Sequence, residues 1–314
     1  MYDLTITSPE PRFDCFLPHA RRRRRRLRTI DVVDPEKLFG ELHRIHLNGS
    51  IPGRRLLGNG GQICYFGTNA GGYTLEALLG IRPNGRPAPD FEGWEIKAHR
   101  VSDFAKPGNA LLTLLTVGPT GGFYREEGPE AFVRRFGYAA SNGYPGKLNL
   151  YSDHFVGRRN AKTGLTLHLR QSDRRADHAF APWGALVLSE DNGSPAAVWH
   201  FSKLEEHWNR KHALAAFVPY VSDGRAFLYG PLVQTGQGTD FGRFLDMLAA
   251  GRISYDPGLS LAYANDPRCR VRRRGQFRIR VGDLAGLYRH FMSVDVRYAL
   301  IADDRPETSR LFID

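Results

Sequence analysis

The sequence has little cysteine, no long apolar run and fewer acidic than basic side chains. Its three cysteines, Cys15, Cys64 and Cys269, are scattered without CxxC spacing, which argues against a structural zinc site or a disulfide framework and favours a reducing cytoplasm. No apolar stretch approaches the roughly 20 residues that span a bilayer, and residues 1–18 lack the pattern of a signal peptide. We therefore expect a cytoplasmic protein without a membrane partner.

The charge balance points to a polyanionic partner. The 33 Asp and Glu residues against 44 Lys and Arg give a formal net charge of +11. A basic surface attracts nucleic acid, and the guanidinium of arginine matches phosphates and guanine edges well. The length of 314 residues and the hydrophobic content of 41% are ordinary for a globular protein with one large domain or two lobes.

Hydrophobic spacing predicts both helices and strands and no internal repeat, so the fold class is α/β or α+β. We expect helices that begin at Asp34, at Thr74, at Ser202 with a Glu205 capping box and an end near Ala216, at Thr239, and at Asp283 with an end near Phe291. The expected strands cover residues 90–99, 108–117, 165–170, 183–188, 198–201, 217–221, 227–229 and 276–281. The glycines at positions 58, 60 and 61 are interpreted as a flexible hinge.

Asp90, Glu95 and Lys97 form the pattern that carries chemistry. Side chains two residues apart in a strand point the same way, so Glu95 and Lys97 share a face. Asp90 joins them from the preceding turn. Glu76 lies on a short helix whose leucines face the core, which leaves its carboxylate free to face the same cluster.

These residue types suit phosphodiester hydrolysis. The reaction needs a hard cation that neutralises the developing charge, oxygen ligands for that cation, and a group that acts on the attacking water. Asp90 and Glu95 supply carboxylate oxygens, and the carbonyl of Ile96 is a further ligand. Lys97 either accepts a proton from the water or stabilises negative charge, while Glu76 binds a second metal through water or tunes Lys97.

The same residues have a simpler interpretation. A short Glu-x-Lys pattern is common by chance, and Glu95 with Lys97 can be a solvated edge-strand pair worth under about 1 kcal/mol. The position of Asp90, the upstream Glu76 and the basic net charge favour the nuclease.

A second group of residues is predicted to bind DNA. Five arginines lie between Arg268 and Arg274, just before a strand on which Gln276 and Arg278 continue a polar face. The arginines, Arg273 and Arg274 among them, line a DNA groove or form a solvated loop, and the continuing polar face favours DNA contact.

Two further residues are assigned to DNA contact, each with an alternative. Lys211, on the helix that begins at Ser202, is a phosphate contact or an ordinary surface lysine. His99 continues the face of Glu95 and Lys97, and it either touches DNA or has a structural role.

Together these motifs resemble the MvaI/BcnI group of restriction endonucleases, which belong to the PD-(D/E)xK superfamily and are related to the mismatch-repair enzyme MutH. The resemblance rests on the glycine-rich loop at 58–61 and on three motifs, Thr74-Leu75-Glu76, Pro89-Asp90-Phe91 and Glu95-Ile96-Lys97. Weaker likeness continues through residues 199–212, 240–255 and 275–279, so the resemblance covers most of the chain. Pro257 and Gly258 stand where a second recognition arginine is expected, which leaves the recognition sequence open.

The resemblance implies a restriction-endonuclease-like core, with a mixed central sheet flanked by helices and two lobes that form a DNA cleft. It implies that Glu76, Asp90, Glu95 and Lys97 are catalytic and that Arg278 contacts DNA. It further implies Mg²⁺ as the cofactor, with Mn²⁺ as a substitute, and a monomer that acts on double-stranded DNA. A cognate DNA methyltransferase is expected as a separate protein.

The expected domain organisation follows from the same resemblance and from charge. Residues 1–30 form a basic arm whose run Arg21–Arg26 either grips phosphates or is a solvated tail. Residues 31–314 form the endonuclease domain. Its catalytic lobe is centred on residues 58–120, and its recognition elements lie mainly in residues 121–180 and 252–281.

The predicted function is a Mg²⁺-dependent, sequence-specific type II restriction endonuclease. One alternative is a MutH-like repair endonuclease that nicks one strand with the same site. Another is a DNA-binding protein with an inactive nuclease fold. Efficient double-strand cutting by the purified protein separates the first from the second, and DNA binding without Mg²⁺-dependent cleavage would indicate the third.

Overall fold

The computed structural model describes residues 35–82, 89–106, 109–141, 146–170, 184–264, 266 and 269–299. The predictions for the N-terminal arm, for Asp34 and for Arg268 lie outside these residues. The helices within them are α1 (Pro35–Leu47), α2 (Ala70–Leu78), α3 (Phe123–Glu126), α4 (Gly128–Phe136), α5 (Phe201–Lys211) and α6 (Phe241–Ala249), with a 3₁₀ helix at Val281–Leu287.

The strands form one mixed sheet and four small antiparallel sheets. The first nine strands are β1 (Ile51–Pro52), β2 (Arg54–Leu56), β3 (Gln62–Cys64), β4 (Glu95–Arg100), β5 (Leu111–Leu115), β6 (Tyr138–Ala139), β7 (Leu148–Leu150), β8 (Thr166–Arg170) and β9 (Ala185–Ser189). The other nine are β10 (Pro195–His200), β11 (Leu214–Ser222), β12 (Ala226–Tyr229), β13 (Leu232–Gln237), β14 (Ile253–Asp256), β15 (Leu259–Ala262), β16 (Arg270–Arg272), β17 (Gln276–Arg280) and β18 (His290–Asp295). The mixture of helices and strands confirms the expected fold class.

The mixed sheet is built around β11. β4 runs parallel to β11, with Glu95 opposite Ala215 and Arg100 opposite Tyr220. β12 and β13 pair antiparallel with successive parts of β11, and because they overlap the residues that pair with β4, they lie on its other side. β1 and β18 extend the sheet beyond β12 and β13. Among the described strands, β4 is therefore an edge strand.

The main hydrophobic core is enclosed by the small sheets other than the β2-β3 hairpin and by the helices α4, α5 and α6. The orders of the small sheets are β10-β9-β8, β14-β17-β5, β16-β15-β7-β6 and the hairpin β2-β3. Trp199 and Trp208 are fully buried in this core, and Trp208 packs on Phe244 with ring centroids 4.8 Å apart. No helix in the described part of the chain is long and apolar enough to cross a membrane.

Small side chains let α2 lie directly on the mixed sheet. A Cβ at Gly71 would stand 2.2 Å from the ring of Tyr220, so only glycine permits this close approach. Tyr229 Oη donates to the Gly71 carbonyl at 2.6 Å. Thr74 Oγ1 accepts from Arg54 N at 3.0 Å and donates to Arg54 O at 3.2 Å. These contacts fix the helix that carries Glu76.

Two predicted helices end or begin elsewhere. The predicted capping box at Ser202 is wrong, because α5 begins at Phe201 after His200, which makes no side-chain cap. This helix ends at Lys211 rather than near Ala216, because the β-rich segment from Leu214 pairs in the mixed sheet. α6 is capped by Asp240, whose carboxylate accepts from Arg243 N, and not by Thr239.

Three other segments differ from prediction. The expected helix 283–291 is a 3₁₀ helix that ends at Leu287, and the following residues form β18, because their pairing with β13 outweighs helix propensity. Residues 58–61 belong to the turn of the β2-β3 hairpin, where Leu57 N donates to Gly61 O at 2.7 Å. The helix expected at Thr74 begins at Ala70, and the strand expected at Asp90 begins only at Glu95.

Candidate active site

A tight turn before β4 brings Asp90 beside the strand. Trp94 N donates to Phe91 O at 2.7 Å, and Asp90 N and Phe91 N both donate to Trp94 O, at 2.9 and 3.0 Å. Gly93 has φ +85°, a conformation that glycine adopts without steric cost. The turn folds the carboxylate back so that Asp90 Oδ2 accepts from Ile96 N at 3.2 Å.

The same contact orients the Ile96 carbonyl. The N–H and C=O groups of one strand residue point to the same side of the strand. Since Ile96 N–H donates to Asp90, the Ile96 carbonyl also faces that side, away from β11. The carbonyl oxygen and the Asp90 carboxylate thus lie along the same strand edge, as the predicted ligand role requires.

Glu95 and Lys97 share one face of β4 and are buried together. Lys97 Nζ donates to Glu95 Oε1 at 3.0 Å, and their side chains are 14% and 5% exposed. A pair this deeply covered is not the solvated surface pair of the simpler interpretation, so that alternative is wrong. Burying an acid and a base side by side costs solvation, which favours a role in chemistry over a role in stability.

Lys211 also contacts Glu95, which sequence reasoning missed. Its Nζ lies 3.5 Å from Glu95 Oε2, and its side chain is 30% exposed. The signal that could have found this contact is topological. Parallel strands begin at the same edge of a sheet, so the residues just before β11 lie beside the start of β4.

The three carboxylates of Glu76, Asp90 and Glu95, here called the acidic cluster, influence one another. Burial, followed by the charges of Asp90 and Glu95, raises the pKa of Glu76 to about 7. Burial and then Glu95 raise the pKa of Asp90 to about 6. Burial would also raise the pKa of Glu95, but Lys97 and Lys211 hold it below its ordinary value. Burial and mutual repulsion therefore disfavour the charged forms of Glu76 and Asp90, whereas two lysines stabilise the charged form of Glu95.

Two other residues near the acidic cluster were not predicted. Arg55 lowers the pKa of Glu76, and its guanidinium stands 4.5 Å from the ring centroid of Tyr73. His212 is fully buried, with its ring stacked on Trp208 at 4.1 Å. Burial lowers the pKa of His212 to about 3, so its ring is neutral and packs behind the cluster without adding charge.

The oxygen donors suit an ion that keeps part of its water shell. In the described ranges, no three His, Cys, Asp or Glu side chains lie close enough to form a metal site by themselves. Asp90, Glu95 and the Ile96 carbonyl offer two carboxylates and one carbonyl, and Mg²⁺ commonly uses one or two carboxylates with water and substrate phosphate. Glu95 Oε2 is buried without a hydrogen-bond partner, so it has a lone pair that a cation could use.

His99 does not fit its predicted contact with DNA. The residue is only 4% exposed, and it lines a pocket with Phe104, Pro219 and Gln234. Burial lowers the pKa of His99 to about 4, so the ring is neutral. Strand alternation gave its face correctly, but on that face His99 is enclosed with Phe104, Pro219 and Gln234 rather than open to DNA.

The predicted DNA-binding arginines differ in exposure. Arg273 and Arg274 are exposed just before β17, and Arg273 hydrogen-bonds Tyr124. Arg278 is partly buried and donates through Nη1 to Asp256 Oδ2 at 2.9 Å, across the β14-β17 pair. Gln276 is half-buried on the same strand. Arg278 is thus paired with a carboxylate, while Arg273 and Arg274 are more exposed to solvent.

Comparisons with known proteins give one family. The family model of the MvaI/BcnI restriction endonucleases matches residues 39–288, which is more than half of the chain. A structure of the restriction endonuclease MvaI in complex with cognate DNA is 17% identical with a TM-score of 0.60, and covers 82% of this chain and 97% of that one. A structure of MvaI without DNA is 15% identical with a TM-score of 0.45, and covers 85% of this chain and 100% of that one. A search of curated protein sequences gives no match.

Proposed function

Since this chain belongs to the MvaI/BcnI restriction endonuclease family, we propose that it is a Mg²⁺-dependent enzyme whose active site is formed by Asp90, Glu95, Lys97 and Glu76. Family membership makes it a type II restriction endonuclease that acts on DNA. The metal dependence and the assignment of residues are the proposal.

The observation that carries the proposal is the convergence of charged groups at the start of β4. Asp90 Oδ2 accepts from Ile96 N at 3.2 Å, and Lys97 Nζ lies 3.0 Å from Glu95 Oε1. A turn and the six-residue strand β4 bring together the carboxylates of Asp90 and Glu95 and the ammonium of Lys97. The carbonyl of Ile96 lies on the same strand. Burial and the neighbouring carboxylates raise the pKa of Glu76 and of Asp90, and such shifts are common among titratable groups at functional sites.

We assign each group a role in hydrolysis. Asp90, Glu95 and the Ile96 carbonyl would hold the ion. A bound Mg²⁺ would supply positive charge for the phosphate and acidify a coordinated water. Lys97 donates one hydrogen to Glu95 Oε1, which leaves its other N–H groups to orient the attacking water and to stabilise a phosphate oxygen.

Glu76 has a supporting role in this proposal. Its pKa of about 7 lets its carboxyl group take up or release a proton near neutral pH. It faces Asp90 and Glu95 from α2, and the positive charges of Arg55 and Lys211 lower its pKa. We propose that Glu76 tunes the charge of the acidic cluster.

Double-stranded DNA is the proposed substrate. The fold is that of an MvaI structure that contains cognate DNA. The exposed Arg273 and Arg274, with Gln276 and Arg278 on β17, provide guanidinium and amide groups that bind phosphates and base edges. Lys211 would contact a phosphate next to the acidic cluster. We expect the protein to act as a monomer, with a separate DNA methyltransferase that protects host DNA.

Cleavage of supercoiled plasmid tests the proposal. The purified protein with Mg²⁺ is expected to give linear fragments with defined ends, and no cleavage in EDTA. Glu95→Gln should abolish cleavage because it removes a charged ligand and the partner of Lys97. Accumulation of nicked circles alone would favour strand nicking. Wild-type cleavage in EDTA, or by Glu95→Gln, would refute the proposal.

A further inference from the structure

Glu95 is held between two lysines, one on each carboxylate oxygen. Lys97 Nζ lies 3.0 Å from Oε1, and Lys211 Nζ lies 3.5 Å from Oε2. Lys97 is a neighbour on the same strand. Lys211 comes from the last residue of α5, far along the sequence, and reaches the carboxylate only because β11 runs parallel to β4.

The two contacts are of different kinds. Lys97 makes a hydrogen bond, and its side chain is 14% exposed. Lys211 is twice as exposed at 30%, and Glu95 Oε2 has no hydrogen-bond partner although it is buried. Lys211 therefore neutralises this oxygen by charge without a directed bond, and a long flexible side chain at a helix end can leave it at low cost.

Lys211 also acts on the whole acidic cluster. Its charge lowers the pKa of Glu76, of Asp90 and of Glu95 alike. Arg55 acts on Glu76 and Lys97 acts on Glu95. The Lys211 ammonium therefore lies close to all three carboxylates. A divalent cation that balanced their charge would lie in the same region.

We propose that Lys211 is a positioning residue that holds the place of the divalent cation in the cation-free enzyme and moves away from Glu95 Oε2 when the cation binds. The inference rests on the proposed function, since it takes the acidic cluster as the cation site. Lys211 and the cation compete for the same oxygen. Lys211 therefore weakens cation binding to the free protein, and a DNA phosphate, as a new partner for its ammonium, removes that competition.

Binding of Mn²⁺ to the DNA-free protein tests this directly, with the electron paramagnetic resonance signal of free Mn²⁺ as the readout. Lys211→Met should bind Mn²⁺ about fivefold more tightly than the wild type at low salt, which is the order of effect expected from removing one partly screened charge. Lys211→Arg should bind Mn²⁺ with the wild-type affinity, because it keeps the positive charge. Lys203→Met is the matched control, since Lys203 lies on the same helix but pairs with Glu206.

The outcomes separate this inference from the proposed function. Tighter binding by Lys211→Met and by Lys211→Gln, with no change in Lys203→Met, supports the inference. Equal or weaker binding by both Lys211 variants, while Asp90→Asn abolishes binding, overturns it and leaves the cation site intact. Wild-type Mn²⁺ binding by Asp90→Asn would overturn the cation site itself. Thermal unfolding of each variant shows whether it is folded.

Discussion

The acidic cluster and the arginine-rich stretch Arg270–Arg280, here called the arginine segment, are built from side chains of opposite charge. The acidic cluster has three carboxylates beside Lys97, Lys211 and Arg55, and burial raises the pKa of two of its members. The arginine segment has six arginines and no acidic residue of its own. Arg278 is matched by Asp256, while Arg273 and Arg274 are exposed.

The difference shows how two regions of one chain can each complement a different charge of the same ligand. A group of carboxylates attracts a cation, and a group of guanidiniums attracts phosphates. A phosphodiester with a bound divalent ion would satisfy both regions. The acidic cluster should therefore control the chemical step, while the arginine segment should control affinity for DNA.

The largest expected effect is on cleavage. Asp90→Asn and Lys97→Met should each lower the rate of plasmid cleavage by about 10³-fold or more, because each removes a charged group at the reacting phosphate. Binding to the same DNA, measured by gel shift, should change little. Asp246→Asn and Lys106→Met, at exposed positions, are the matched controls. A rate near wild type for either cluster variant would end its catalytic assignment.

The reverse pattern is expected for the arginine segment. Arg273→Ala combined with Arg274→Ala should weaken DNA binding by roughly tenfold for each arginine and reduce the salt dependence of binding by about one unit each. The rate at saturating enzyme should change much less. Arg44→Ala, an exposed arginine of α1, is the control. Unchanged affinity and salt dependence would show that these arginines are merely solvated.

The acidic cluster, unlike the arginine segment, includes a residue of α2, the helix that lies directly on the mixed sheet. Gly71→Ala should destabilise the protein by about 1–3 kcal/mol, because its Cβ would meet the ring of Tyr220. Gly72→Ala, which meets open space in the same helix, should instead stabilise by about 0.5–1 kcal/mol. Urea unfolding measures both. Cleavage by Gly71→Ala should fall more than DNA binding, since the displaced helix carries Glu76. Equal stability of the two variants would contradict the packing account.

The smallest expected effect concerns the pH dependence of stability. The pKa of Glu76 is about 7 in the folded protein and about 4.5 in an exposed chain, so folding loses stability as the pH rises between these values. Glu76→Gln removes this loss. In EDTA it should gain roughly 1–3 kcal/mol over the wild type at pH 8 and almost nothing at pH 4.5.

Exposed Glu126→Gln is the control for this measurement. Added Mg²⁺ should reduce the gain at pH 8, because a bound cation relieves the same repulsion. A gain of equal size at both pH values would mean that folding does not raise the pKa of Glu76.

The convergence of the proposed catalytic residues was predictable because its information is local. Asp90, Glu95 and Lys97 lie within eight residues of sequence, and strand alternation alone places Glu95 and Lys97 on one face. Asp90 was expected to join the site from a turn, and that turn, at Gly93, shortens the expected strand and leaves the order of the site unchanged. The family resemblance noticed from these motifs is confirmed by the match over residues 39–288.

The contact of Lys211 and the burial of His99 were not predictable in the same way. The first depends on parallel pairing between β4 and β11, which are distant in sequence, and the second on which segments cover one face of β4. Local patterns specify the direction of a side chain but not its neighbours. The first two residues of β18, His290 and Phe291, were included in an expected helix for the same reason, since pairing with β13 decides their structure.

The most direct test of the central claim is the position of a bound ion. Crystals soaked with Mn²⁺ should give one anomalous-scattering peak within about 2.0–2.6 Å of carboxylate oxygens of Asp90 and Glu95 and of the Ile96 carbonyl. In the same crystals, Lys211 Nζ should have moved away from Glu95 Oε2. A Mn²⁺ peak elsewhere, with Asp90 and Glu95 holding no ion, would contradict the account.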